Sequence, residues 1–244
     1  MLNRSYSFSR YQGGVSLVEL MIGMVVGLIV LAGALTVFAK ISFSGLENTR
    51  AIRLNQQMRE TMDFIRRDIQ RAGYTNTGAA VVTDVAALAA IGSFGMVTIG
   101  VTNLNTLSTY VGAVVSDDCI LYSYDFDEDG IFADPGDNFS FRLNAGAVER
   151  GAGVGCGDDA AWQAVSDANV TITALTFELD ATDSVIWVVE EGGAVEVGCG
   201  AGDTCFARRK INVVLEGELA LDSSVKVSLR DEVKIKNDHY YSRP

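Results

Sequence analysis

An uninterrupted apolar stretch near the N-terminus constrains this chain more than any other feature. From Val15 to Ala39 the only charged residue is Glu19, and as a helix this stretch is long enough to cross a bilayer. No proline occurs before Pro135, so no proline forces the helix to stop within the membrane. A single apolar span excludes a multi-helix channel or transporter. A carboxylate inside such a span costs roughly 2.5–3.5 kcal/mol on insertion scales, so Glu19 is expected to have a partner.

The charges are distributed very unevenly along the chain. Residues 1–73 hold nine Lys/Arg and five Asp/Glu, whereas residues 74–244 hold ten and 26. Because residues 74–244 are strongly acidic, they repel phosphate groups, which argues against a nucleic-acid partner. Arg4 and Arg10 precede the apolar span without any acid, and basic residues beside a span stay on the cytoplasmic side. The rest of the chain is therefore expected to face outwards, on the side of the membrane away from the cytoplasm.

Beyond Lys40 the sequence becomes amphipathic. Apolar residues recur at spacings of 4, 3, 4 and 3, which place them on one stripe of a helix: Met58, Met62, Ile65, Ile69 and Ala72. The other faces carry charged residues: Arg53, Arg59, Glu60, Asp63, Arg66, Arg67, Asp68 and Arg71. Gly73 is suited to end the helix. We therefore predict one helix over residues 15–73, transmembrane over 15–39 and packed on a folded head in its second half.

Residues 74–244 read as a β-rich head. Short β-type runs are separated by Gly, Asp and Asn, and they predict these strands: Cys119–Tyr124, Phe139–Leu143, Val170–Leu179, Val185–Glu190, Cys205–Leu215, Val225–Leu229 and Val233–Lys236. In two of them apolar and polar residues alternate: Val170, Ile172 and Ala174 in one, and Val225, Val227 and Leu229 in the other. This pattern predicts an antiparallel sheet with one covered face. Residues 74–112 lack such periodicity and are expected to form a loose connection. The predicted fold class is α+β.

The four cysteines are expected to form disulfides in an exported head. Four cysteines allow three pairings. Cys199 and Cys205 bracket the flexible segment Gly-Ala-Gly-Asp-Thr, which favours a small closed loop and leaves Cys119 to pair with Cys156. Zinc is the alternative, but the sequence has neither a C-x-x-C motif nor a histidine near the cysteines.

One loop has the spacing of a calcium ligand set. The motif D-x-D-x-D-G matches the first half of an EF-hand loop, in which alternate carboxylates point inward and the glycine permits a sharp bend. The twelfth position is Gly136 rather than Glu, so a further acid must close the site. The candidate calcium ligands are Asp125, Asp127, Asp129, the Ile131 carbonyl, Asp134 and Asp137. An acidic solvated turn is the alternative interpretation.

The segment Gly14-Val15-Ser16-Leu17-Val18-Glu19-Leu20-Met21 resembles the processing site of type IV prepilins. The resemblance implies a leader at residues 1–14, cleavage by prepilin peptidase after Gly14, and methylation of the new N-terminus. The family usually has Phe after the cut, whereas this chain has Val15. Glu19 becomes the fifth mature residue, where the buried carboxylate can pair with the α-amino group of a neighbouring subunit. A secretory signal peptide is the alternative, although the apolar stretch is about twice as long as the core of one.

The runs SLVELMIGMVVGLIVLAG and QQMRETMDFIRRDIQRAGY look like the PilW family of minor type IV pilins. That resemblance implies a pilin fold, with a long N-terminal helix packed on an antiparallel sheet. It also implies a place in a tip complex that primes pilus assembly. The expected partners are prepilin peptidase, other minor pilins, the major pilin and a tip adhesin, with the inner membrane as the location before assembly.

Two alternatives remain at the level of sequence. A minor pseudopilin of type II secretion shares the same N-terminal features and forms a short periplasmic fibre. A membrane-anchored periplasmic enzyme is the second, but the sequence lacks G-x-S-x-G, H-E-x-x-H and phosphate-loop motifs and contains one histidine. The chain is therefore expected not to be an enzyme.

Overall fold

One long helix, α1, begins at Leu17 and ends at Ile69 in the computed structural model of the chain. The structure describes residues 14–76, 94–132, 135–159, 161–190, 193–195 and 199–242. Residues 1–13 of the expected leader lie outside these ranges. The chain divides into two units, residues 1–49 and 50–244, and α1 contributes to both.

In the first unit, α1 carries no charged residue on any face between Leu20 and Ala39. Every residue from Val15 to Phe38 is exposed, and the most apolar 18-residue window has a mean hydropathy of 2.6. By length and composition the helix is able to cross a membrane.

In the second unit, α1 has one buried face. The predicted stripe is confirmed, since Met58, Ile65 and Ile69 are fully buried and Met62 is nearly so. Leu54 extends the stripe by one turn towards the N-terminus and is also fully buried. Fully burying one such side chain contributes about 1.5–3 kcal/mol, so this face is sufficient to hold the helix on the sheets.

The helix ends before the predicted boundary at residue 73. After Ile69 the chain tightens into a turn, in which the amide of Ala72 donates to the Ile69 carbonyl, three residues back. Gly73 lies beyond this turn with a φ of 78°, a left-handed conformation that favours glycine. Its amide donates to the carbonyls of Ser123 and Phe94 at 2.9 and 3.1 Å, so it joins the end of the helix to the head.

Strands of two to thirteen residues are the main elements of the described part of the head. In the described ranges they are β1 Val97–Ile99, β2 Thr102–Asn103, β3 Ser116–Asp117, β4 Cys119–Ser123, β5 Asn138–Asn144, β6 Ala147–Ala152, β7 Trp162–Ala164, β8 Val170–Leu179, β9 Val185–Glu190, β10 Gly193–Val195, β11 Thr204–Arg208, β12 Lys210–Leu219, β13 Asp222–Lys234 and β14 His239–Ser242. Two single 3₁₀ turns, Leu104–Thr106 and Pro135–Asp137, lie between them.

Three sheets are formed by these strands. A six-stranded sheet has the order β2-β1-β4-β5-β6-β7, the β9 sheet has the order β10-β9-β11-β14, and the β8 sheet has the order β13-β12-β8-β3. All strand pairs among the described residues are antiparallel. The α+β class with a long N-terminal helix on antiparallel sheet is therefore confirmed, although the head holds three sheets.

Several predicted strand boundaries change. Val170–Leu179 and Val185–Glu190 are confirmed as predicted. The predicted strand 205–215 is two strands in two different sheets, because the chain passes between the β9 sheet and the β8 sheet at Arg209. The two strands predicted over 225–236 are the single strand β13. The predicted loose connection 74–112 contains β1 and β2, while its residues 77–93 lie outside the described part.

The alternation predicted for β8 shifts halfway along the strand. Val170 and Ile172 are buried as expected, but Ala174 is only half-buried and Leu175 is buried instead. The pairing with β12 explains the shift. Glu216 lies opposite Ala174 and Gly217 lies opposite Ile172, so Thr173 of β8 has no partner residue on β12. A bulge of this kind reverses which side chains face the core.

Candidate functional sites: the N-terminal segment, the Asp68 network and the acidic loop

The predicted cleavage point lies just outside the helix. Gly14, Val15 and Ser16 precede α1 and are exposed, and the first helical hydrogen bond runs from the Leu20 amide to the Ser16 carbonyl at 3.1 Å. A peptide bond that is exposed and outside regular structure is accessible to a peptidase.

Glu19 lies in the first turn of α1, where the helix dipole favours a negative charge. Its apolar neighbours Leu17, Val18 and Leu20 are all more than half exposed. No ion pair to Glu19 occurs within the described residues. The carboxylate is therefore placed in an apolar surface that itself needs to be covered.

A second acid of the same helix is buried in the head. Asp68 was expected on an outer face, but only 6% of it is exposed. Its Oδ2 accepts hydrogen bonds from the Tyr122 hydroxyl at 2.8 Å and from Arg150 Nε at 2.7 Å, and its Oδ1 accepts from the Tyr124 hydroxyl at 3.1 Å. Asp68 is three residues after Ile65, at the helical spacing of the apolar stripe, and this spacing was the sequence signal for its burial.

The electrostatics of this network follow from the burial of Asp68. Burial raises the pKa of Tyr122 well above its usual value, and the neighbouring carboxylate raises it further. Burial lowers the pKa of Arg150, but the hydrogen bond and the attraction to Asp68 outweigh that effect and raise the net value. The guanidinium also lies over the Phe139 ring, 4.4 Å from its centre. The network therefore holds one ion pair inside an aromatic cluster and joins α1 to β4 and β6.

The acidic loop, residues 125–137, is attached to the end of α1 by main-chain contacts. The Asp125 amide donates to the Tyr74 carbonyl at 2.9 Å, and the Asn76 amide donates to Asp125 Oδ2 at 3.0 Å. The Asn76 side-chain amide donates to the Glu128 carbonyl at 3.0 Å. Glu128 and Gly130 have φ values of 63° and 74°, which allow the chain to turn sharply around the carboxylates. Asn76 was not identified from the sequence, because its role depends on contacts across about fifty residues of chain.

Three of the predicted ligands lie together in this loop. Oxygens of Asp125, Asp127 and Asp137 all lie within 4.8 Å of one another. Asp125 and Asp137 are each 2% exposed, whereas Asp127 is exposed. Burial raises the pKa of Asp137, although the hydrogen bond from the Phe126 amide opposes the shift.

The remaining predicted ligands are placed differently. Asp129 does not belong to this group of three, and its Oδ1 accepts from the Ile131 amide at 2.7 Å. Asp134 lies outside the described residues. The structure thus brings together the first two carboxylates of the D-x-D-x-D-G motif and Asp137, the acid at the far end of the loop.

A cleft of about 740 Å³ lies beside the loop. Its walls include Arg67 and Arg71 from α1, Tyr124 and Phe126 from the region where β4 leads into the loop, and Lys236 from the segment after β13. Three acids, Asp68, Asp125 and Glu128, also line it, so the cleft carries charges of both signs beside aromatic side chains.

The cysteines are paired as the sequence favoured. Disulfides join Cys119 to Cys156, with a Cα–Cα distance of 5.9 Å, and Cys199 to Cys205, with a Cα–Cα distance of 6.2 Å. The first bond ties the start of β4 to the segment before β7, and the second closes the loop before β11.

Comparison with known families agrees with these features. Residues 47–235 match the family described as prepilin peptidase-dependent protein B, and residues 9–35 match the prokaryotic N-terminal methylation motif. The second match covers the predicted cleavage point and Glu19. No curated protein and no solved structure gives a significant match to the chain.

The fold and the methylation motif define a type IV pilin-like protein, of the class that includes pilins and pseudopilins. Since the first match covers more than half of the chain, the chain belongs to the prepilin peptidase-dependent protein B family. Proteins of these families are typically structural rather than catalytic.

Proposed function

We propose that this chain is a minor type IV pilin. Prepilin peptidase cuts it after Gly14, the new N-terminal Val15 is methylated, and the subunit joins other minor pilins and the major pilin in a complex at the pilus tip that primes assembly. The observation that supports this proposal most strongly is the exposed apolar part of α1. Glu19 is the only charged residue between Val15 and Ala39, and it is the fifth residue after the cut. The two family matches support the same assignment.

The physical basis of assembly is the covering of this apolar surface. Before assembly the lipid bilayer covers it, and in the fibre the helices of neighbouring subunits do so. Lipid is as apolar as a helix surface, so the transfer is driven by close packing and by polar contacts rather than by the hydrophobic effect. A carboxylate of one subunit and the α-amino group of another neutralise each other in the dry interior, which gives Glu19 a partner and sets the register between subunits.

The head is proposed to face the periplasm and later the exterior of the cell. Arg4 and Arg10 retain the leader on the cytoplasmic side. The two disulfides favour an oxidising compartment on the other side. In the assembled tip the head offers its surfaces to other minor pilins and to a tip adhesin.

The mass and N-terminal residue of the mature protein test the processing step. The expected product begins with methylated Val15. A mature chain that begins at Met1, or one that begins at Lys40 after cleavage by signal peptidase, would contradict the proposal.

Substitution of Glu19 tests the assembly step. Glu19→Ala is expected to insert into the membrane normally but to enter fibres at a level lower by about tenfold or more, because an α-amino group buried without its partner costs more than about 1.4 kcal/mol. Glu47→Ala is the matched control, since Glu47 is an exposed acid of the same helix beyond the apolar stretch. Equal incorporation of Glu19→Ala and wild type would remove the assigned role.

A deletion strain separates the pilus role from the secretion role. The proposal expects loss of surface pili with protein secretion intact. Loss of secretion with pili intact would instead assign the chain to the minor pseudopilins of type II secretion.

A further inference from the structure

Two buried carboxylate oxygens in the acidic loop receive no hydrogen bond from the described protein. They are Oδ1 of Asp125 and Oδ2 of Asp137. Both residues are 2% exposed. A buried charged oxygen without a partner costs several kcal/mol. The two carboxylates also repel each other, since an oxygen of Asp125 lies within 4.8 Å of an oxygen of Asp137. The folded chain therefore favours a positive charge beside Asp125 Oδ1 and Asp137 Oδ2.

The other oxygen of each carboxylate is fixed by main-chain amides. Asp125 Oδ2 accepts from Asn76 at 3.0 Å and from Gly130 at 3.1 Å, and Asp137 Oδ1 accepts from Phe126 at 3.1 Å. These bonds hold both side chains in one orientation. Each carboxylate is thus oriented by one oxygen, and its second oxygen remains available for a ligand.

The spacing of the oxygens suits a shared cation. The ligand atoms of Asp125, Asp127 and Asp137 lie within 4.8 Å of one another. Two oxygens bound to one calcium ion at about 2.3–2.6 Å can be separated by at most about 5 Å. Asp127 approaches from the exposed side, where water molecules can complete the coordination shell.

We propose that the acidic loop binds one Ca²⁺ through Asp125, Asp127 and Asp137. Three carboxylates form a hard-oxygen donor set, which favours Ca²⁺ over metals that prefer nitrogen or sulfur. Mg²⁺ demands near-ideal octahedral geometry and is less suited to a loop whose ligands come from both its ends. Relative to an EF-hand, Asp137 supplies the closing carboxylate in place of the missing glutamate at position twelve.

Bound Ca²⁺ fixes the loop on the end of α1 and thereby orients its exposed apolar residues. Phe126 and Ile131 are 60% and 59% exposed. Phe126 lies between Asp125 and Asp127 in the sequence, and Ile131 follows Asp127 by four residues. Metal binding joins the two ends of the loop and strengthens the contacts of Asp125 with Tyr74 and Asn76. The site therefore makes the presentation of Phe126 and Ile131 dependent on calcium. This inference is independent of the pilin role.

Calorimetry on the full chain in detergent tests the site. After treatment with a chelator, wild type is titrated with CaCl₂ and, in parallel, with MgCl₂, and its melting temperature is followed with increasing Ca²⁺. One Ca²⁺ per chain is expected, with a melting temperature that rises with Ca²⁺ concentration because the ion binds the folded state. Asp125→Asn and Asp137→Asn are expected to bind about tenfold or more weakly. Glu128→Gln, which removes an exposed charge from the same loop, is expected to bind like wild type.

The chelated variants separate a metal site from a purely structural role. Each substitution removes one of two buried charges that repel each other, so both variants are expected to melt at or above the temperature of chelated wild type and to lose only the rise caused by Ca²⁺. Absence of saturable binding in wild type would overturn the proposal. Wild-type affinity in both variants, or equal affinity for Mg²⁺ and Ca²⁺, would overturn it as well.

Discussion

Glu19 and Asp68 are two acids of one helix with opposite surroundings. Asp68 is buried, and two tyrosine hydroxyls and an arginine of the same chain donate to it. Glu19 lies among exposed apolar residues and has no ion pair in the described part of the chain. Asp68 therefore stabilises the fold of its own chain, whereas Glu19 serves an interaction with another molecule.

The apolar residues of the two halves of α1 differ in the same way. Met58, Ile65 and Ile69 are fully buried by the head. Met24, Ile29 and Phe38 have similar size but are 65–67% exposed. The two halves are equally capable of forming a helix, so what separates them is whether the chain itself supplies the covering surface. Substitutions in the second half of α1 should therefore change the stability of the chain. Substitutions in the first half should change its incorporation into fibres.

The largest effect on stability is expected from Asp68→Ala. The substitution leaves Arg150 and two buried hydroxyls without their acceptor, which costs about 3 kcal/mol. The free energy of unfolding, measured by denaturant titration of the purified chain, should fall by this amount.

Asp63→Ala is the matched control for Asp68→Ala. Asp63 pairs with Arg66 at 2.7 Å on the same helix, where both side chains are partly exposed, and a solvent-accessible pair contributes about 0–1 kcal/mol. Equal losses from the two substitutions would break the distinction between a buried network and a solvated face. A double change of Asp68→Leu with Arg150→Met should recover much of the loss, since it leaves no uncompensated charge.

A smaller loss is expected from Gly217→Ala, at a close contact between Met58 of α1 and the β8 sheet. A Cβ at this position would lie 2.9 Å from the Met58 sulfur and 3.2 Å from the Thr171 carbonyl oxygen. Overpacking of this kind costs about 1–3 kcal/mol. Gly157→Ala is the control because nothing lies within 4 Å of a Cβ there. A melting temperature unchanged in Gly217→Ala would mean that the helix is less closely packed than the structure indicates.

No loss of stability is expected from Gly23→Ala, in the other half of the helix. A Cβ at Gly23 or Gly27 meets nothing within 4 Å in this chain, yet their G-x-x-x-G spacing lets helices approach closely. The melting temperature should therefore stay constant while incorporation into fibres decreases. Gly33→Ala, outside that spacing, is the control, and an equal decrease in both variants would argue against a specific helix contact.

The sequence was most informative where the signal is local. The stripe from Met58 to Ile69 was predicted correctly because one periodicity within one helix determines it. The bounds of Val170–Leu179 were also predicted correctly, but its alternation shifts at the bulge opposite β12, which depends on the neighbouring strand. The strands β1, β2, β3, β6, β7, β10 and β14 were not predicted. Five of them have only two or three residues, which carry no periodicity and pair only because neighbouring strands are present. The longer β6 and β14 lack a clear alternation of apolar and polar residues. The passage between two sheets at Arg209 was missed for a similar reason, as the residue lies inside a run of strand-forming residues.

The candidate sites divide in the same manner. The spacing of Asp125 and Asp127 is visible as a motif, whereas the sequence alone does not distinguish Asp134 from Asp137 as the acid that closes the site. The main-chain contacts of Asn76 could not be predicted, because they depend on where the end of α1 lies. Asp68 was classed with the surface charges, since a charged residue at the margin of a stripe is usually solvated.

The strand order of the six-stranded sheet implies a temporal order of folding. Its strands β4, β5, β6 and β7 pair in chain order, and the Cys119–Cys156 bond closes within them. The hydrogen-bond partners of Asp68, which are Tyr122, Tyr124 and Arg150, have therefore all been synthesised when the ribosome reaches β7. The surface that covers Met58 is completed later, because Gly217 of β12 is synthesised about fifty residues after β7. Domains tend to fold from the N-terminal side during synthesis, and local contacts form fastest. The buried acid is thus expected to dock the helix on the growing chain before its apolar face is fully covered.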